Sequence, residues 1–326
     1  MLSTETTSDR AGEHALSTSV ALVTGGVGFI GSALSAALDR LGSEVHTVSR
    51  RPSVPTKRGR HWQVDLSDAA AVDNLVRETK PQYVFHLASH VMGAPDLHHV
   101  LPAFQSNLQT TVNLLCALAE AGCTRMITTG SLVEPEKGAR GIPNSPYAAA
   151  KWASSDYARM FHALYAFPVS IARVFMVYGP AQQDMTKLVP YVIRCLLNGE
   201  APKVTSGKHR IDWIFVDDVV QGFLKLAVAS GAEGESVDLG SGAPITIREL
   251  VDTICGLMDA QVRPEYGALP DRPMEPIRVA DIASCARQIG WSPKIGLQEG
   301  LRRTIDWYRG QGRGMPVQSQ GIGAER

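Results

Sequence analysis

Residues 20–42, "VALVTGGVGFIGSALSAALDRLG", constrain this chain more than any other stretch. The β-rich run at 20–25 ends in glycine, and apolar residues then recur at helical spacing over 29–42 up to a further glycine. Between them, "TGGVGFIG" (24–31) spaces Gly25, Gly28 and Gly31 as G-x-x-G-x-x-G, while Gly26, Gly28 and Gly31 satisfy G-x-G-x-x-G. A strand turning through glycines into a helix lets backbone approach a ligand closely and aims unpaired N–H groups at a pyrophosphate. A glycine triplet says little by itself. Its place at the first strand–helix junction of a long alternation makes dinucleotide binding the expectation.

The alternation is long. Strands are expected at 44–49, 60–66, 82–89, 125–131 and 169–175, with helices near 68–79, over 100–121 and from Tyr147 onward. This pattern predicts an α/β fold, a doubly wound parallel sheet of the Rossmann kind, with the dinucleotide-binding domain at 19–178. From about Gly179 the alternation weakens into mixed helices, short strands and proline-rich loops such as "ALPDRPMEP" (268–276). A smaller C-terminal α/β substrate lobe is expected over 179–309, with parts such as 212–240 returning to the main domain. Residues 1–18 and 310–326 read as an unstructured arm and tail.

Composition excludes several classes. The 326 residues carry a formal net charge of zero, so nothing marks a nucleic-acid binder. No apolar run is long enough for a bilayer, and the N-terminus lacks the apolar core of a secretory signal. Cys116, Cys123, Cys195, Cys255 and Cys285 are scattered, odd in number and never C-x-x-C, which predicts reduced thiols, no metal site and a cytoplasmic protein.

The end of the second strand selects the cofactor. A carboxylate there would hold the adenosine ribose hydroxyls and repel a 2′-phosphate. This chain has Ser49, Arg50 and Arg51, followed by Lys57, Arg58 and Arg60. Arginine suits phosphate, so NADP(H) is favoured over NAD(H), a solvated basic loop being the alternative. Asp65 is placed either to meet the adenine amino group or to cap the next helix.

"SPYAAAK" (145–151) sets Tyr147 and Lys151 four residues apart, on one face of a helix. A cation near the phenol favours the phenolate, so Lys151 is expected to lower the Tyr147 pKa and make a usable proton donor and acceptor. An amphipathic helix with an exposed lysine would show the same spacing.

With the glycine turn and this Tyr-x-x-x-Lys, the chain resembles the extended short-chain dehydrogenase/reductase family of nucleotide-sugar epimerases, dehydratases and 4-ketoreductases. The resemblance covers roughly 19–309 and includes "HLAS" (86–89), Asn107 in "NLQTTVNLL", "RVFMVYGP" (173–180), "DWIFVDDVV" (212–220) and "RPMEPIRVAD" (272–281). It implies that Tyr147 is the general acid/base, that Lys151 binds the nicotinamide ribose, and that Ser131 bonds the substrate oxygen, with Thr129 the fallback. It further implies that Gly25, Gly28, Phe29, Ile30, Gly31, Ser49, Arg50, Arg51, Asp65, Leu66, Leu87, Ala88, Ser89, Asn107 and Thr129 line the cofactor. Substrate contacts would come from Met176, Lys187, Arg210, Arg272 and Glu275. A homodimer through helices at about 100–121 and 147–165 is also implied.

The chain departs from the family pattern at three places. The loop from Ser131 to Tyr147 is short, Met176 stands where the family has an asparagine, and Ile211 stands where an arginine commonly precedes the aspartate. No adjacent Asp-Glu pair follows Ser131; Glu134 and Glu136 lie differently. Together with the basic second strand, this favours an NADPH-dependent ketoreductase acting on a nucleotide-linked 4-keto-6-deoxyhexose. The alternatives are a 4-epimerase or dehydratase with tightly bound NAD, and a reductase of a non-nucleotide ketone. A cofactor-binding regulator without chemistry is disfavoured because both Tyr147 and Lys151 are present. His90, His98 and His99 fall near the expected substrate loop and read as surface histidines.

Overall fold

The structure, a computed structural model, describes residues 12, 14–52, 56–135, 141–271 and 277–311. It divides into two compact units, the first comprising Met1–Val174, Val220–Leu239 and Ile282–Ser292, the second Phe175–Val219, Gly240–Asp281 and Pro293–Arg326. The first unit thus ends at Val174 rather than at 178. It takes back 220–239, and also 282–292, a return the sequence pattern did not suggest.

In the first unit, strands β1 (Val20–Thr24), β2 (Glu44–Ser49), β3 (His61–Gln63), β4 (Tyr83–His86), β5 (Arg125–Ser131) and β6 (Val169–Val174) alternate with helices. The helices are α1 (Phe29–Leu41), α2 (Ala69–Thr79), the α3 (Val100–Ala103)–α4 (Thr110–Ala121) pair and α5 (Pro146–Tyr165). With the late strand Ser236–Leu239, they form a seven-stranded parallel sheet in which that strand pairs with β6 and the order continues β5, β4, β1, β2, β3. The chain reverses direction across the sheet between β1 and β4, where the doubly wound fold opens a crevice at the carboxyl ends of its strands. β4 is buried along its whole length, and β5 is buried except at Thr129, as expected of strands covered on both faces.

Local signals set the helix ends. Asp68 caps α2 by accepting from Ala71 N–H at 3.2 Å, and Ser145 caps α5 by accepting from Ala148 N–H at 3.2 Å. Pro146 occupies the first turn of α5, where its missing N–H costs nothing. Gly42 ends α1 at φ 107°, a left-handed conformation that a side chain would resist.

Three sequence expectations differ from the structure. The helix over 100–121 is interrupted by a π-helical stretch, Phe104–Gln109, in which Asn107 is buried. The arm 1–18 is structured over 14–18: Leu16 is 2% exposed, and its carbonyl accepts from the Ser19 and Ser43 hydroxyls. The edge strand is also shorter than 60–66, spanning His61–Gln63.

The second unit holds the short ladders Met176–Tyr178 with Trp213–Phe215, Arg210–Ile211 with Ile245–Thr246, and Lys203–Val204 with Glu265–Tyr266. Helices Leu188–Leu197, Ile247–Met258 and Leu297–Gly310 pack within it, so the helix runs to the first residue of the expected tail. The remainder of that tail, 312–326, lies outside the described residues. Asp212, buried on the strand turn, accepts from Ser241 N–H and Oγ–H, Gly242 N–H and Ala280 N–H at 2.6–3.0 Å. That carboxylate ties three segments of the unit by charge-assisted bonds.

Candidate active site

The glycine turn is built for close approach of a ligand. Gly25 has φ 67°, and a Cβ there would lie 2.8 Å from the Ala88 nitrogen; one on Gly31 would lie 2.1 Å from the Gly25 oxygen. Gly28 caps α1 without a side-chain bond, and the first intrahelical bond runs from Ser32 N–H to the Gly28 carbonyl at 2.9 Å. The N–H groups of Phe29, Ile30 and Gly31 lie ahead of that bond, at the positive end of the helix. These residues fit the diphosphate of a dinucleotide.

Beneath the turn, the Thr24 hydroxyl accepts from Leu87 N–H and Ala88 N–H, both at 3.1 Å, and meets His86 Nδ1 at 2.8 Å. His86 Nε2 lies 3.1 Å from the Thr111 hydroxyl. Burial pushes the His86 pKa down to about 3, so the ring is a neutral crosslink from β1 through β4 to α4. "HLAS" pointed to this strand end but not to the histidine's role.

At the end of β2, the Ser49 hydroxyl donates to the Arg51 carbonyl at 2.6 Å, His61 Nε2 meets the same oxygen at 2.9 Å, and Gln63 donates to the Arg50 carbonyl at 3.0 Å. The main chain is fixed while the Arg50 and Arg51 side chains are exposed. Asp65 accepts from Ser67 N–H and Oγ–H at 3.0 and 2.8 Å, and these bonds hold its carboxyl below the usual range. The helix cap is Asp68, so that alternative for Asp65 falls away. Leu66 beside it is buried.

α5 and the end of β5 bring the remaining residues together. Tyr147, Lys151 and Ser155 form one stripe on α5 at i, i+4, i+8. The Tyr147 phenol faces the Ser131 side chain, which favours its ionised form. The Lys151 ammonium, 4% exposed as a residue, donates to the Thr129 hydroxyl at 2.8 Å and to its carbonyl at 3.0 Å. Thr129 is therefore a lysine anchor, and its own hydroxyl donates to the His86 carbonyl at 3.2 Å.

The electrostatics correct an expectation. Burial pushes the Tyr147 phenol up to about 12, opposite to the lowering expected from Lys151, with the Ser131 bond opposing the rise. A phenolate partly closed off from water loses more hydration than a lysine whose donors go to Thr129 restores. Burial also lowers Lys151 to about 8, opposed by the Glu134 charge.

Asn107 does not stand alone on its helix. Its carboxamide oxygen accepts from His90 N–H at 2.7 Å and Ser89 Oγ–H at 3.0 Å, while its carbonyl accepts from Thr111 at 2.6 Å and Ser154 at 3.1 Å. It locks the 89–90 loop against α5. Glu134 is the buried residue to which the sequence assigned no role: Ser131 N–H donates to it at 2.5 Å and Ser155 Oγ–H at 2.9 Å.

Met176, Lys187 and Arg210 belong to the second unit. Met176 N–H donates to the Asp212 carbonyl at 3.2 Å, Lys187 lies 3.8 Å from Asp184, and Arg210 donates to the Pro244 carbonyl at 2.6 Å. Arg272, Glu275 and Glu136 lie outside the described residues.

A dinucleotide cradle on a doubly wound sheet, with a tyrosine, a lysine and a serine gathered at β5 and α5, defines a nicotinamide-dependent enzyme of the short-chain dehydrogenase/reductase class. The model of the NAD dependent epimerase/dehydratase family matches residues 21–240, and the chain belongs to that family. It is 31% identical to dTDP-glucose 4,6-dehydratase of Haemophilus influenzae, over 88% of this chain and 97% of that one. The structure of UDP-glucose 4-epimerase with UDP-glucose from Thermotoga maritima superposes with a TM-score of 0.81 at 26% identity, over 89% of this chain and 99% of that one. That of Thermus thermophilus UDP-glucose 4-epimerase in complex with NAD gives 0.76 at 29% identity, over 89% and 99%.

Proposed function

We propose that the protein is an NADPH-dependent ketoreductase acting on a nucleotide-linked 4-keto-6-deoxyhexose. The observation that carries the cofactor choice is the fixed turn at the end of β2, which presents two exposed arginines where a carboxylate would exclude a 2′-phosphate. Leu132 and Val133 follow Ser131, so the adjacent acid pair suited to eliminating water is missing from that position.

In this reading Phe29, Ile30 and Gly31 N–H groups bind the diphosphate, Arg50 and Arg51 the 2′-phosphate, and Asp65 the adenine. Leu66, Leu87, Ala88 and Ser89 line the cofactor, and Asn107 and Thr129 hold its surroundings. When bound, the nicotinamide supplies the hydride. Ser131 holds the substrate carbonyl oxygen, and Tyr147, protonated because burial keeps its pKa high, gives that oxygen its proton. Lys151 binds the ribose and, as a cation, eases departure of the phenol proton. Arg272 is the planar fork for the nucleoside diphosphate, with Lys187, Arg210, Met176 and Glu275 around the same ligand. The enzyme is cytoplasmic and homodimeric through α3–α4 and α5, whose exposed Leu101, Phe104, Tyr157, Leu164 and Tyr165 supply an apolar face.

The test is the purified protein itself. Absorbance without retained NAD, with NADPH consumed when a nucleotide-linked 4-keto-6-deoxyhexose is added, supports reduction. Retained NAD with interconversion of nucleotide sugars replaces it by the epimerase or dehydratase reading, which the relatives named above favour. Cofactor choice has a separate check. Replacing Arg50 and Arg51 together with uncharged residues is expected to weaken NADPH binding about tenfold or more while leaving NADH binding within about twofold, since each 1.4 kcal/mol is a factor of ten. Equal losses in a fluorescence titration would return the arginines to a solvated surface role.

A further inference from the structure

We propose that Glu134 is a positioning residue of this site: its carboxylate fixes the Ser131 end of β5 to α5 and supplies the buried countercharge for Lys151. The inference rests on reading Tyr147 and Lys151 as the catalytic pair.

The geometry is that of a clamp. One Glu134 oxygen takes the Ser131 N–H at 2.5 Å and the other takes the Ser155 hydroxyl at 2.9 Å. Ser155 ends the Tyr147–Lys151–Ser155 stripe, so a single carboxylate joins the residue expected to hold the substrate oxygen to the helix carrying the acid and the cation. Room is made for it: a Cβ on Gly130 would sit 2.7 Å from Glu134 Oε1. At 3% exposure burial raises its pKa, and the Ser155 and Ser131 hydrogen bonds, with the Arg173 and Lys151 charges, oppose that rise.

Among the described residues, two cations act on it. Lys151 on α5 and Arg173 on β6 act on Glu134 as cations; Arg173 is also paired with Asp238 at 2.7 Å. The Glu134 charge raises the pKa of Lys151 and of Tyr147, so its removal lowers both. The lysine then loses its proton at lower pH, and with it the bond to the cofactor ribose.

Glu134→Gln keeps the size and one acceptor but removes the charge. The readout is the fluorescence titration of NADPH, with NADH in parallel, from pH 6 to 10. The wild type is expected to lose affinity as pH rises through about 8, and Glu134→Gln to lose it about one unit lower. Glu134→Asp, which keeps the charge, is expected to restore the midpoint. Superimposable wild-type and Glu134→Gln profiles would overturn the proposal. If Glu134→Gln does not fold, Glu134→Met, uncharged and of similar length, gives the same comparison. Lys151→Ala is the control: unchanged cofactor binding there removes the catalytic-pair reading itself, whatever Glu134 does.

Discussion

Tyr147→Phe is expected to bind its nicotinamide cofactor as the wild type does and to turn over about a hundredfold more slowly or worse, the usual size of a general-acid effect. The substitution removes one oxygen and keeps the ring that packs in the site. Because burial holds the phenol near 12, it carries its proton throughout the working range and needs no titration to act as an acid. Ser131 can orient a carbonyl oxygen but has no proton of comparable acidity to give. Steady-state rates, with binding measured separately by fluorescence, check the claim. Near-normal turnover on an identified substrate would mean that another group protonates the product.

Lys151→Ala is expected to do more harm, lowering kcat/KM by about a thousandfold by weakening cofactor binding and slowing proton transfer together. The ammonium is buried and anchored on Thr129 by two bonds, so its loss also leaves the Thr129 carbonyl without that donor. The lysine's position predicts a pH dependence with a definite sign. Its pKa is lowered to about 8, so the cation is present below that pH and is lost as pH rises through it. Turnover by the wild-type enzyme should therefore decline above about pH 8 rather than near the ordinary lysine range. A flat rate up to pH 10 would show that the charge is not used.

Much of the fold was legible because it is local. β1 (ending at Thr24), β2 and β5 fall where β-rich runs stop at turn signals, and the apolar run of β1 is what a strand covered on both faces favours. The glycine turn was legible for a similar reason: only glycine fits at position 31, where a Cβ would lie 2.1 Å from the Gly25 oxygen. The Tyr147–Lys151 pairing follows from helical spacing alone. Its family resemblance was equally legible, because the motifs are short and keep their order.

What required the tertiary structure depends on residues far apart in the chain. The π-helical turn at 104–109 carries the buried Asn107, which is bonded to His90, Ser89 and Ser154, and hydrophobic periodicity does not register such partners. The same holds for Asp212, whose ligands come from 241, 242 and 280. Spacing placed Lys151 beside Tyr147 and so suggested a lowered phenol pKa. Only the folded chain shows that Thr129 takes the ammonium's donors and that burial drives the phenol the other way. Glu134 was visible as a letter, but its partner Ser155 lies 21 residues away, so its clamp could not be read from neighbours. Sequence spacing determined which groups share a face; desolvation, which depends on everything packed around them, decided their charge.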